Sequence, residues 1–98
     1  MEPELGQLVV SAAGRDKGRY YVVMQIVDDT TVTVADGTYR PVSKPKKKNI
    51  RHLMMTRMIN KSLNEKLLAG IGPTNEEVRE VLKINNKAKS ERMDCSHG

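Results

Sequence analysis

The chain has 98 residues, the length of one small domain. Hydrophobic residues make up 38% of it and charged residues 30%, with no Phe or Trp, so it can bury one small core and a multi-residue catalytic pocket is not favoured. The net charge is +5, no apolar run approaches the about 18 residues of a membrane span, and the acidic start Met1-Glu2-Pro3-Glu4 is unlike a secretory signal.

Leu5 to Ser11 reads as a first strand around Leu8, Val9 and Val10. A turn-rich link, Ala12 to Gly18, follows. Tyr20 to Val27 is rich in β-branched and aromatic residues and is expected as the second strand, with Tyr20, Val22, Met24 and Ile26 facing inward. Asp28-Asp29-Thr30 is a polar turn. Thr31 to Val34 alternates, with Val32 and Val34 inward. Asp36-Gly37 is a hairpin signal, because Gly supplies the positive φ of a type I′ turn, and Thr38 to Val42 is expected to continue as a strand. Pro45 removes a backbone donor, so Lys44 to Asn49 reads as a loop or a sheet edge. Ile50 to Leu53 closes a short last strand.

The period then changes. Ser62-Leu63-Asn64-Glu65 can form a capping box for a helix that runs to Ala69 and stops at Gly70. Thr74-Asn75-Glu76-Glu77 is a second capping box, followed by an apolar stripe of Val78, Val81, Leu82 and Ile84. Five short strands joined by tight turns suggest a small barrel, because closure removes exposed edges. The expected organisation is a barrel over residues 5–55, a helical extension over 56–89 and a disordered tail over 90–98.

The positive charge is concentrated. Residues 1–36 hold three basic and six acidic groups, and residues 65–98 hold six of each. Residues 37–64 hold eight basic groups and no acid: Arg40, Lys44, Lys46, Lys47, Lys48, Arg51, Arg57 and Lys61. Such asymmetry points to a polyanionic partner, against the bland reading of a solvated face.

The strand ending at Ser11, the loop Gly14-Arg15-Asp16-Lys17-Gly18 and the strand from Tyr20 together resemble a KOW motif. Asp36-Gly37-x-x-Arg40 and Lys48-x-x-Arg51-His52-Leu53 are similar to the second half of the barrel in KOW-type large-subunit ribosomal proteins. The chain looks similar to small bacterial KOW-domain relatives of those proteins. The resemblance implies a mainly β fold, an SH3-like five-stranded barrel followed by one or two helices. It also implies a cytoplasmic, non-catalytic protein that binds RNA, often ribosomal RNA. One departure stands out: many KOW motifs place Gly or Ala three residues after the final loop glycine, where this chain has Tyr21.

The expected RNA-binding residues are Gly14, Arg15, Lys17, Gly18 and Arg19 on the loop, with Arg40, Lys44, Lys46, Lys47, Lys48 and Arg51 across the later strands. Glycines allow close backbone approach, and cations take phosphates. Tyr21 and Tyr39 read as ordinary packing, so recognition is expected to rest on phosphates and shape rather than on stacked bases. Arg57 and Lys61 can instead cover the barrel end with their stems. His52 reads as a surface residue.

No cofactor, metal or small-molecule substrate is implied. Cys95 and His97 are too few for a structural zinc site, and a single cysteine fits a reducing compartment. The basic run Pro45 to Lys48 is also similar to a nuclear localisation signal, a pattern with many false positives. The alternative function is a protein-interaction module of the translation or transcription machinery, using Met54, Met55 and Met58 and the helix after Thr74. Large-subunit proteins are then partners besides RNA.

Overall fold

The computed structural model describes residues 3–83. Five strands, β1 (Gln7–Ser11), β2 (Tyr20–Ile26), β3 (Thr31–Ala35), β4 (Lys46–Asn49) and β5 (Leu53–Ile59), form one antiparallel sheet in the order β4-β3-β2-β1-β5. Helix α1 (Lys61–Leu68) follows, and a second helix, α2, occupies residues 75–83. Among the described residues no helix is long and apolar enough to cross a membrane.

The sheet cannot lie flat. β4 and β5 are its two edges, and only the 3-10 turn Ile50–His52 joins them. At a strand spacing of about 4.8 Å a flat sheet would hold these edges about 19 Å apart. The four Cα steps from Asn49 to Leu53 span at most about 15 Å. The sheet must therefore curl.

Both faces of the sheet are buried. Val9, Tyr21, Val23, Val32, Val34 and Leu53 form one core, drawn from β1, β2, β3 and β5. Leu8 and Val22 point the other way and pack with Leu63 of α1 and Val78 and Leu82 of α2. The inward face expected for β2 is thus the helix-covered one. Val22 is buried there, Tyr20 and Met24 are half-buried, and Ile26 is exposed. Val32 and Val34 are buried as expected, but with Val23, which pairs with Val34. A register shift between Val23 and Gln25 adds to the bend.

Three boundaries differ from the sequence expectation. Thr38 to Val42 is not a strand: the Asp36 carboxylate accepts the backbone N–H groups of Thr38 and Arg40 (both 2.8 Å), so a local turn replaces the ladder. Ile50–His52 is a 3-10 turn capped by the Asn49 side chain, and the last strand is β5, which extends to Ile59. Helix α1 starts at Asn60, whose side chain accepts the Leu63 N–H, rather than at Ser62. The stop at Gly70 and the Thr74–Glu77 capping box are both present. Lys66 bridges to Glu77 and ties α1 to α2. Ile84 of the expected stripe and the tail from 90, with Cys95 and His97, lie outside the described residues.

Helix α2 docks on the Asp36–Arg40 turn at Gly37. This glycine has φ +78, and a Cβ there would sit 2.5 Å from the Asn75 carbonyl oxygen. Arg79 donates to the Gly37 carbonyl at 2.8 Å. Gly37→Ala is expected to lower stability by about 2–3 kcal/mol, from the left-handed backbone plus the clash. Gly18→Ala is the control. Its φ is +91 with nothing within 4 Å, so it meets only the backbone term, about 1 kcal/mol. Urea unfolding of the two variants compares them, and equal losses would mean α2 is not seated on Gly37.

Candidate nucleic-acid interface

The Gly14–Gly18 loop is built from its own backbone. Ser11 N–H donates to Arg19 O (2.9 Å) and Gly18 N–H to Ser11 O (2.8 Å), which closes the loop at its base. Lys17 N–H donates to Gly14 O and Arg19 N–H to Asp16 O inside it. Gly14 and Gly18 both have positive φ and both are exposed. Within this frame Asp16 turns inward while Arg15 and Lys17 point to solvent.

Asp16 is the centre of a buried polar cluster. Its carboxylate accepts from Ser11 Oγ (2.8 Å), Tyr21 Oη (2.7 Å), Lys48 Nζ (2.9 Å) and Lys46 Nζ (3.3 Å). Lys48 Nζ also donates to Ser11 Oγ at 3.2 Å. Burial alone would raise the Asp16 carboxyl, but the hydrogen bonds from Lys48, Tyr21, Ser11 and Lys46 outweigh it and hold it well below the usual carboxylate range. Burial, then the Asp16 hydrogen bond and charge, push the Tyr21 hydroxyl from 10.0 up to about 12. Tyr21 therefore has a defined task at its unusual position: its ring fills the core and its hydroxyl anchors the loop.

This cluster engages two of the lysines expected to take phosphates. Lys48 is only 8% exposed, and its ammonium is committed to Asp16 and Ser11. It neutralises the loop from within. Lys46 is half-buried on the same carboxylate. On β4, Lys46 and Lys48 share the face opposite exposed Lys47.

The same cluster brings distant segments together. Asp16 fastens the loop to β4, and Ala12 N–H donates to His52 O at 2.8 Å, fastening it to the 3-10 turn. Exposed Arg15 and Lys17 thus stand at the end of the sheet that carries exposed Arg51 and His52 and half-buried Lys46. On the other flank, the Arg19 guanidinium lies 4.2 Å from the centre of the Tyr39 ring. Tyr39 is 68% exposed, against the expectation of packing. Arg40 and Lys44 are exposed on the β3–β4 connection, and Arg57 and Lys61 are exposed farther along the chain. Among the described residues, Arg15, Lys17, Arg19, Arg40, Lys44, Lys47 and Arg51 make no salt bridge, and no group of three His, Cys, Asp or Glu could hold a metal ion.

The chain aligns over 79 residues with a large ribosomal subunit protein eL14 of Hyperthermus butylicus, at 32% identity, covering 81% of this chain and 74% of the relative. A second eL14, from Desulfurococcus amylolyticus, aligns over 53 residues at 38% identity, covering 54% of this chain and 55% of the relative. No family model matches. The relatives are archaeal, which replaces the bacterial kinship expected from the sequence. With an identity above 30% across most of its length, the chain belongs to the family of the large ribosomal subunit protein eL14, a non-catalytic ribosomal protein.

Proposed function

We propose that this protein binds ribosomal RNA in the large subunit, in the cytoplasm, through the end of the sheet built around the Gly14–Gly18 loop. The observation that carries this reading is the convergence of Arg15, Lys17, Arg51 and Lys46 from three separate segments, with the loop's own acid turned inward and neutralised. Arg19, Arg40, Lys44 and Lys47 extend the positive surface, and exposed Gly14 and Gly18 let a phosphate come close to the loop backbone. In this reading the curled sheet is an SH3-like barrel of the KOW type. Residues 5–55 supply most of it, β5 carries it to Ile59, and the helices cover its outer face.

Binding should be dominated by phosphate contacts. With about six phosphates engaged, the logarithm of the association constant is expected to fall against that of salt with a slope of about −4 to −5. Titration of large-subunit ribosomal RNA over a salt series measures it. A slope near −1 would overturn the reading.

A second reading adds a protein contact. β5 is a sheet edge, and Met54, Met58 and Ile59 on it are 62%, 47% and 39% exposed. An exposed apolar edge strand is a template for pairing, and methionines adapt to irregular surfaces. A neighbouring large-subunit protein is the partner that surface would take.

A further inference from the structure

The loop's second flank carries a feature that phosphate binding does not use. Arg19, directly after the loop, lies over one face of Tyr39, yet the ring remains 68% exposed, so its opposite face is open to solvent. Tyr39 borders an open groove of about 650 Å³, lined also by Gly18, Arg19, Thr38, Arg79 and Lys83. Two of the lining side chains are tied to the backbone. Arg79 is held by its hydrogen bond to Gly37 O, and the Asp36 oxygen beside the groove is engaged by the N–H groups of Thr38 and Arg40. What faces the groove is the Tyr39 ring among three cations, Arg19, Arg79 and Lys83, together with apolar Leu82 and the Asp36 carboxylate.

Resting on the RNA-binding reading above, we propose that this groove takes one unpaired RNA nucleotide, its base stacked on the open face of Tyr39 and its phosphate met by Arg79 and Lys83. The chemistry matches. A base has a π-face that stacks on tyrosine whatever its identity, and the guanidinium on the far side completes an Arg–Tyr–base stack. A paired helix cannot offer such a base, whereas a bulge or loop can. The protein would then read a break in an RNA helix as well as its phosphates. This contact departs from the expectation of purely phosphate-based recognition.

The test uses an RNA hairpin with a single bulged 2-aminopurine and the same hairpin fully paired. The full-length protein is expected to bind the bulged hairpin about tenfold more tightly, the size that one base–aromatic stack supports, and to quench the 2-aminopurine fluorescence. Tyr39→Ala should abolish both the preference and the quenching, so that the variant binds the two hairpins alike. Tyr39→Phe should keep both. Equal affinity of the wild type for the two hairpins, or a preference that survives Tyr39→Ala, overturns the stacking site and leaves RNA binding standing. Binding of neither hairpin at low salt overturns both readings.

Discussion

Replacing Asp16 by alanine is expected to destabilise the protein by about 3–5 kcal/mol, because it leaves the Lys48 ammonium buried without a counter-charge. Lys48 keeps only the Ser11 hydroxyl, and Tyr21 loses its acceptor. For a domain whose total stability is about 5–15 kcal/mol, this is a large share. The double variant Asp16→Ala/Lys48→Met should recover much of the loss, since removing both partners of a buried pair is far cheaper than removing one. Urea unfolding midpoints measure both variants. A small loss for the single variant, or no recovery in the double, would show that the pair does not hold the loop. The pH dependence follows with a definite sign. Asp16 has a lowered folded pKa, so its contribution is complete above the unfolded value of 3.8 and is lost as pH falls below it. Tyr21 has a raised one, so its contribution is complete below 10.0 and is lost as pH rises toward about 12. The cluster is therefore intact across the neutral range, and Asp16→Asn should remove its part of the acid-side loss, while the parts from Asp28, held low by Thr30, and Glu77, held low by Lys66, remain.

Why this cluster escaped a reading of the sequence is a matter of range. The Thr74–Glu77 capping box, the alternation of Val32 and Val34 and the stop at Gly70 are local. Each is written in a few adjacent residues whose physics does not depend on the rest of the chain. The Asp16–Lys48 pair spans 32 positions and exists only because the sheet curls. One signal did hint at it. Asp16 is an acid inside a loop otherwise suited to a polyanion, and Tyr21 stands where a small residue is usual. A carboxylate and a phenol in those places fit each other better than either fits RNA. The buried outer face was also hidden. Strand β2 is apolar on both sides, Tyr21 and Val23 on one and Tyr20 and Val22 on the other, so alternation could not say which side was the interior. The last strand is not legible locally, because Leu53-Met54-Met55-Thr56-Arg57-Met58-Ile59 suits helix and strand alike. Pairing with β1 decides it.

The cluster also decides which charges can test the function. Reversal of Lys46, Lys47 and Lys48 is the obvious choice from the sequence. Lys48→Glu, however, would set a second buried carboxylate against Asp16, and lost binding would report lost folding. Arg15, Lys17 and Arg51 are exposed and make no salt bridge among the described residues. Their simultaneous replacement by Glu should leave the unfolding midpoint nearly unchanged, since exposed substitutions usually shift stability by within about 0.5 kcal/mol each. Affinity for large-subunit ribosomal RNA should fall about 100-fold. The salt slope should become shallower by about one for each lost phosphate contact, moving from about −5 to about −2. The slope is the sharper readout. A general loss of structure would weaken binding without leaving a folded protein that titrates with fewer counterions. A triple variant that binds as tightly and as steeply as the wild type would move the interface away from the loop, to the Arg40–Lys47 side of the sheet. A variant that stops binding RNA yet still engages a large-subunit protein would place that second contact on the β5 edge, where Met54 and Met58 lie and none of the three substitutions reaches.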